Sequence, residues 1–338
     1  MGDVYELLRA QPALYTFFLA VFGAIAGSFA SAAAYRIPRE GMSILKPARS
    51  HCPVCDSQIA WYDNLPLISY LVLRGRCRRC KAGYGPGYMV HELGLALLFV
   101  VAGRGWAAEQ GLIPLIVVLV ALTSLWIAAA VDFRHFILPD GITIGGQIAA
   151  IPAVLLVPEL HLWAGRSEAP WGAQLLGLGL EDGARTLALA SGLVGWAAAF
   201  AITFGIGRLF SYLLRQEALG FGDVKYLAAV GAWLGLEGAL WSLLIGVFAG
   251  SLFGVINVIR MICAVRRRRR ARGAKRHAHN AIRVGWLVGR VIPFGPPLIL
   301  GTTLVLLAPG FVHHFFSVSW PEWISGSSHF ANHQSLAP

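Results

Sequence analysis

Two aspartates and four cysteines are the residues whose types and settings point to chemistry. Asp132 directly follows the apolar run Leu125–Val131, in Val131-Asp132-Phe133-Arg134-His135. Asp223 lies in Gly220-Phe221-Gly222-Asp223-Val224-Lys225, where another apolar run begins. A carboxylate at the edge of hydrocarbon is costly, so each needs a reason to be there. Two carboxylates at one depth can share a proton, one activating water while the other polarises a peptide carbonyl. Gly220 and Gly222 would let a backbone come close to Asp223. The plainer alternative is that an aspartate at a helix end is a cap or an interface anchor. Asp140 is read that way, because Pro139-Asp140-Gly141 precedes a span at a natural N-cap position. Lys225 fits a surface anchor, and Glu92 fits the dipole of its helix's first turn.

The cysteines form two pairs, Cys52-Pro53-Val54-Cys55 and Cys77-Arg78-Arg79-Cys80, with 21 residues between them. Each CxxC turn can direct two thiolates to one metal, and two turns complete a tetrahedron. In a reducing compartment stable disulfides are disfavoured. Asp56 and Lys81 follow the pairs where haem attachment would need His. Four thiolates leave no open coordination position, so the expectation is a structural zinc in a zinc-ribbon-like knuckle, with redox thiols as the alternative. Cys263, in an apolar stretch, is expected to be a small buried hydrophobe. His91-Glu92 begins like a zinc-protease HExxH motif, but Leu95 stands where the second His belongs.

The elements that must position these groups follow from composition. Of 338 residues 57% are hydrophobic and only 13% charged, against about 25% in soluble domains. Disorder, collagen and a disulfide-framed secreted module are excluded, and an all-α polytopic membrane protein remains. Apolar runs at 14–35, 89–104, 112–131, 141–158, 186–210, 224–236, 238–262 and 291–309 predict about eight spans. The split within 224–262 is set near Leu236-Glu237, where a charge and nearby glycines mark a turn. Asp3 and Glu6 against one Arg9 do not make the basic flank of a signal peptide, so the first span reads as a retained helix.

Loop charge sets the topology. Residues 37–89 and 260–290 are strongly basic, the latter with Arg266–Arg270, and are expected in the cytoplasm. Residues 159–185 carry Glu159, Glu168, Glu181 and Asp182 against Arg166 and Arg185, which suits the outside. Threading from an external N-terminus satisfies all three and puts both aspartates on the cytoplasmic side. No internal repeat is evident, and 159–185 and 310–338 read as irregular. The net charge of +11 is read as cytoplasmic retention near anionic membrane lipids, with no nucleic acid as partner.

These residues together resemble the prepilin leader peptidases, bifunctional membrane enzymes of type IV pilus and type II secretion systems. The likeness is carried by Gly27-Ser28-Phe29, Tyr35-Arg36-Ile37-Pro38 and the two cysteine pairs. It includes Trp61-Tyr62-Asp63-Asn64-Leu65-Pro66, Ser69-Tyr70 and Arg74-Gly75-Arg76. It continues through Asp132 to Pro139-Asp140, the Gly220–Lys225 motif and Ile292-Pro293-Phe294-Gly295-Pro296. The resemblance implies that Asp132 and Asp223 are the paired aspartates of a GxGD-type protease of the bacterial inner membrane. Its substrates would be prepilins and pseudopilins, cut at the cytoplasmic face. It further implies N-methylation of the new N-terminus from S-adenosylmethionine, with Gly75 chosen for that activity. The domains expected are a first helix at 1–36, a four-cysteine loop at 37–89, a peptidase domain at 90–310 and a tail at 311–338. The loop 159–185, the Arg266–Arg276 insertion and the tail exceed the family pattern, and Tyr226 and Ala30 replace Leu-like residues. A transporter or channel would instead place acids near mid-span in paired broken helices, and a zinc-ribbon membrane scaffold is the third class.

Overall fold

A computed structural model describes residues 2–44, 50–162, 168–217, 219–271 and 293–319. Lys46, Arg49, Arg166, Lys275, Arg276, Ile292 and the tail beyond 319 lie outside the described residues. The elements in order are α1 (Gly2–Arg9), α2 (Pro12–Arg36), α3 (Ile68–Leu73), α4 (Gly87–Ala102), α5 (Trp106–Glu109) and α6 (Leu112–His135). After them come α7 (Asp140–Leu156), α8 (Trp171–Gln174), α9 (Ala184–Leu214), α10 (Phe221–Ala271), α11 (Gly295–Leu307) and α12 (Pro309–His314). Among the described residues there is no strand, only two isolated antiparallel bridges.

By length and composition α2, α6, α9 and α10 are able to cross a membrane, and the bent pair formed by α11 and the segment to Ser317 makes a fifth candidate. The expected eight spans are therefore not established. The helices α4 and α7 have 16 and 17 residues, or roughly 24–26 Å at 1.5 Å per residue against about 30 Å of hydrocarbon. The runs 224–236 and 238–262 both lie within α10, which is two helices joined at a kink at Gly235 (φ 71°), next to the split expected near Leu236-Glu237.

That break reverses the chain. Ideal side chains built at Gly301, Gly246 and Gly250 would touch Ser242, Leu298 and Phe294 respectively. The later half of α10 thus runs antiparallel to α11, and Gly250 returns to the depth of Gly295. A straight helix would carry Gly250 about 40 Å from Asp223.

Helices α2 and α4 pack through small residues, as lipid-embedded helices do. A Cβ at Gly23 would lie 2.6 Å from Ala96 Cα, and one at Gly27 2.4 Å from the His91 carbonyl oxygen. Ala30, fully buried, continues that seam. Residues 159–185 are less irregular than expected, since α8 packs on α9 and His161 and Ala173 are buried. The tail is likewise helical as far as Ser319. Cys263 is exposed rather than buried, on an outward face of α10.

Candidate active site

Asp132 sits one turn before the end of α6, and its residue is only 5% exposed. The helix stops at Phe136, which adopts φ 57° and donates its N–H to the Asp132 carbonyl. Asp223 occupies the first turn of α10, its N–H donating to the Gly220 carbonyl at 3.0 Å. A Cβ at Gly220 would lie 3.4 Å from Asp223 Oδ2, and one at Gly222 would lie 3.5 Å from Leu138 Cβ. These two glycines keep the turn slim where α10 meets the chain that follows α6. The contact of Gly222 with Leu138 brings the start of α10 to the chain just past the end of α6, and no described cation pairs with either carboxylate.

A third segment completes the arrangement. The backbone N–H of Gly295, first residue of α11, donates to Asp132 Oδ2 at 3.1 Å. A Cβ on Gly295 would stand 2.6 Å from that oxygen. In the sequence this glycine stands within a family motif but carries no site role. The available signal was its place between two prolines at a helix start, where a backbone N–H is free to serve another group.

Three helper assignments change. Asp140 is not a side-chain cap: Pro139 holds the cap position, and Asp140 pairs with Lys225. Lys225 accordingly ties α10 to α7, and its carbonyl accepts from Gln147 Nε2 at 3.0 Å. Glu92 lies beyond the first turn of α4 and accepts the Leu67 N–H at 2.7 Å, while His91 Nδ1 accepts from Trp126 Nε1 at 2.8 Å. Both side chains of the aborted HExxH motif are committed to structure. Tyr226, one of the departures from the family pattern, donates its hydroxyl to Thr302 and so joins α10 to α11.

The four cysteines converge. Their sulfurs all lie within 4.8 Å of one another, and Cys52 and Cys80 Sγ are 3.8 Å apart. A tetrahedral metal with bonds of about 2.3 Å places its sulfurs about 3.8 Å apart, so the set fits zinc. The Cys77 thiol is lowered to about 6 because the Cys80 and Arg79 backbone N–H groups favour its thiolate.

The loop also contains a repeat that the sequence did not reveal. Cys52 N–H bonds Ser57 O and Asp56 N–H bonds Cys52 O; 25 residues on, Cys77 N–H bonds Ala82 O and Lys81 N–H bonds Cys77 O. Asp56 and Lys81 both take positive φ, at 52° and 60°. Asp63 receives two nitrogens of Arg78, which hold its carboxyl below the usual range. Gly75 has φ 65°, and a Cβ there would stand 3.1 Å from the Tyr70 ring. Its need for glycine is explained by the turn itself.

Residues 21–105 match the bacterial peptidase A24 N-terminal domain, and residues 119–255 match the type IV leader peptidase family. A prepilin leader peptidase/N-methyltransferase of Klebsiella pneumoniae is 35% identical over 71% of this chain and 94% of its own length. One from Myxococcus xanthus is 33% identical over 73% of this chain and 64% of its length. A type 4 prepilin-like proteins leader peptide-processing enzyme of Escherichia coli is 33% identical over 75% and 90%. No solved structure matches. Identity at this level across nearly the whole Klebsiella protein means common descent, and the chain belongs to the type IV leader peptidase family.

Proposed function

We propose that the protein is a membrane-embedded aspartic endopeptidase. It removes the short leader from type IV prepilins and pseudopilins at the cytoplasmic face of the inner membrane. What carries the reading is the meeting of the Asp132 end of α6 with the Asp223 end of α10, through Gly222 against Leu138, with the Gly295 N–H on Asp132. In this mechanism one carboxylate, ionised, takes a proton from water as the oxygen attacks the scissile carbonyl carbon. The other, protonated, gives its proton to the carbonyl oxygen, and collapse of the diol expels the amine with a proton from the pair. A substrate anchored by an apolar helix would bring its cut site to this depth. The decisive experiment supplies a prepilin to the purified protein in liposomes and reads leader loss by mass. An intact substrate in every lipid and pH tested would sink the proposal.

The relatives' printed names and the family resemblance support a second activity, N-methylation of the new N-terminus with S-adenosylmethionine as donor. Gly75 is assigned to that half, within the domain division 1–36, 37–89, 90–310 and 311–338. Nothing among the described residues marks out a cradle for the donor. Replacing Gly75 by Val puts a branched side chain at positive φ, a strain of about 1–2 kcal/mol, against the Tyr70 ring. Gly75→Val is expected to impair methyl transfer more than cleavage in a paired assay. Equal loss of both would mean that the loop only holds the structure together.

Cys52, Cys55, Cys77 and Cys80 would bind one structural zinc as a zinc-ribbon-like knuckle, supported by the fit of their sulfurs to a tetrahedron. Elemental analysis should find about one zinc per chain and almost none in a Cys52→Ser, Cys77→Ser double variant. Undiminished zinc in that variant would reject the site.

The threading with eight spans places 37–89 and 260–290 in the cytoplasm and 159–185 outside, on loop charge. The external loop is testable at Glu181, which is exposed. A thiol probe at Glu181→Cys should be labelled from the outside only; labelling solely from the cytoplasm would overturn the threading.

A further inference from the structure

We propose that Trp61–Leu73 is an interfacial element of the four-cysteine loop, with its apolar face embedded in bilayer lipid beside α4. The first observation is depth. The Leu67 N–H reaches the Glu92 carboxylate at 2.7 Å, and Glu92 is packed against Gly27 of α2, where a Cβ would lie 2.5 Å from Glu92 Cα. Gly27 precedes Arg36, the last residue of α2, by nine residues, and Glu92 follows the start of α4 by five. At 1.5 Å per residue the Glu92 Cα is therefore roughly 7–13 Å inward of the ends of these two helices. Its side chain, which leans toward the helix N-terminus, reaches back part of that distance to hold Leu67 at or just inside those ends. A loop held at that level lies against the membrane interface rather than out in bulk water.

The second observation is the pattern of the segment. Ile68, Leu71 and Val72 recur at i, i+3 and i+4 on α3 and are 59%, 68% and 68% exposed. Trp61 at 79% and Leu65 at 40% are exposed on the preceding turn. The opposite face is engaged: Ser69 is buried and donates to the Tyr62 carbonyl, and Tyr70 packs edge-on against Tyr84. Leu67 accepts an unusual φ of 62° at the turn into α3, a conformation that L side chains rarely adopt.

Third, the surroundings select the occupant. Immediately after α3 come Arg74, Arg76, Arg79 and Lys81, the cationic complement to anionic headgroups. Neighbouring α4 also exposes Val90, Leu93 and Leu97, an apolar face of the kind that lipid covers. An aromatic at one end, an aliphatic helix face and a basic rim are the chemistry of an interfacial element. The inference does not depend on whether the aspartates are catalytic.

The test uses the full chain in vesicles of phosphatidylethanolamine and phosphatidylglycerol. A benzophenone amino acid is placed at position Leu71, Val72 or Ile68, or at Glu40, the exposed acid beyond α2. After irradiation, adducts to lipid acyl chains should be several-fold more abundant at the three α3 positions than at Glu40. That excess should persist when a prepilin is added. The thermal transition of each labelled variant in detergent, compared with that of the unlabelled protein, reports whether it is folded, and three positions guard against the loss of one. Equal lipid capture at all four positions overturns the proposal. So do α3 adducts formed only to a second copy of the protein, or lipid adducts replaced by prepilin adducts.

Discussion

Asp132→Asn and Asp223→Asn are each expected to lower prepilin cleavage by roughly 10²–10⁴-fold, the range that a positioned acid or base contributes. An amide neither activates water nor relays a proton, yet it matches the size of the carboxylate, so packing around α6 and the start of α10 is retained. In the Asp132→Asn variant the amide oxygen would still accept the Gly295 N–H, which keeps α11 in place. Asp140→Asn is the control from the same motif. It breaks the pair with Lys225, but the Asp140 side chain is 64% exposed, and such pairs contribute about 0–1 kcal/mol. Most activity should survive there. Substantial cleavage by either of the first two folded variants would remove the acid–base pair as the mechanism. A dead Asp140→Asn would mean that the wrong carboxylate of the first motif had been assigned.

The second large effect is expected at a residue with no side chain. Gly295→Ala would bring a methyl group to 2.6 Å from Asp132 Oδ2, far inside contact distance. Either the carboxylate swings away or α11 retreats, and in both cases the alignment of Asp132 with Asp223 is lost. Displacements near 1 Å cost about 10²-fold in rate, so kcat should fall by that order. The backbone donor is unchanged and Gly295 has no positive φ, so the folded bundle should form. The variant should therefore remain soluble in detergent, carry its zinc and show the wild-type thermal transition within a few degrees. Normal turnover by Gly295→Ala would show that the Asp132 contact with α11 has no part in cleavage.

The aspartates were legible because charge is scarce in this chain and both stand at the ends of apolar runs. The reversal was legible too: the sequence put it near Leu236-Glu237, and it falls at Gly235. Gly295 was not readable as a site residue, since glycine contributes only an N–H and space, and both matter only once α11 docks on α6. Asp140 was misread because its neighbours describe a cap, while its partner Lys225 is 85 residues away. Span number is a different matter: hydropathy finds apolar runs, but the helices α4 and α7 that occupy two of them have 16 and 17 residues, about as long as the runs themselves and short for a straight crossing. The repeat within the loop escaped notice because, apart from the cysteines, its equivalent positions share backbone torsions rather than residue types.

That repeat has a kinetic meaning. Each knuckle is closed by bonds spanning only a few residues, such as Asp56 N–H to Cys52 O and Lys81 N–H to Cys77 O, so each can form without the other. A metal ion captured by one pair of thiolates would then meet the second pair already held nearby by the folded tether between them, at an effective concentration on the order of millimolar or above. Release requires both pairs to let go within one tether relaxation, whereas capture needs only one. Damage to a single knuckle should therefore shorten the residence time of the ion far more than it slows its uptake.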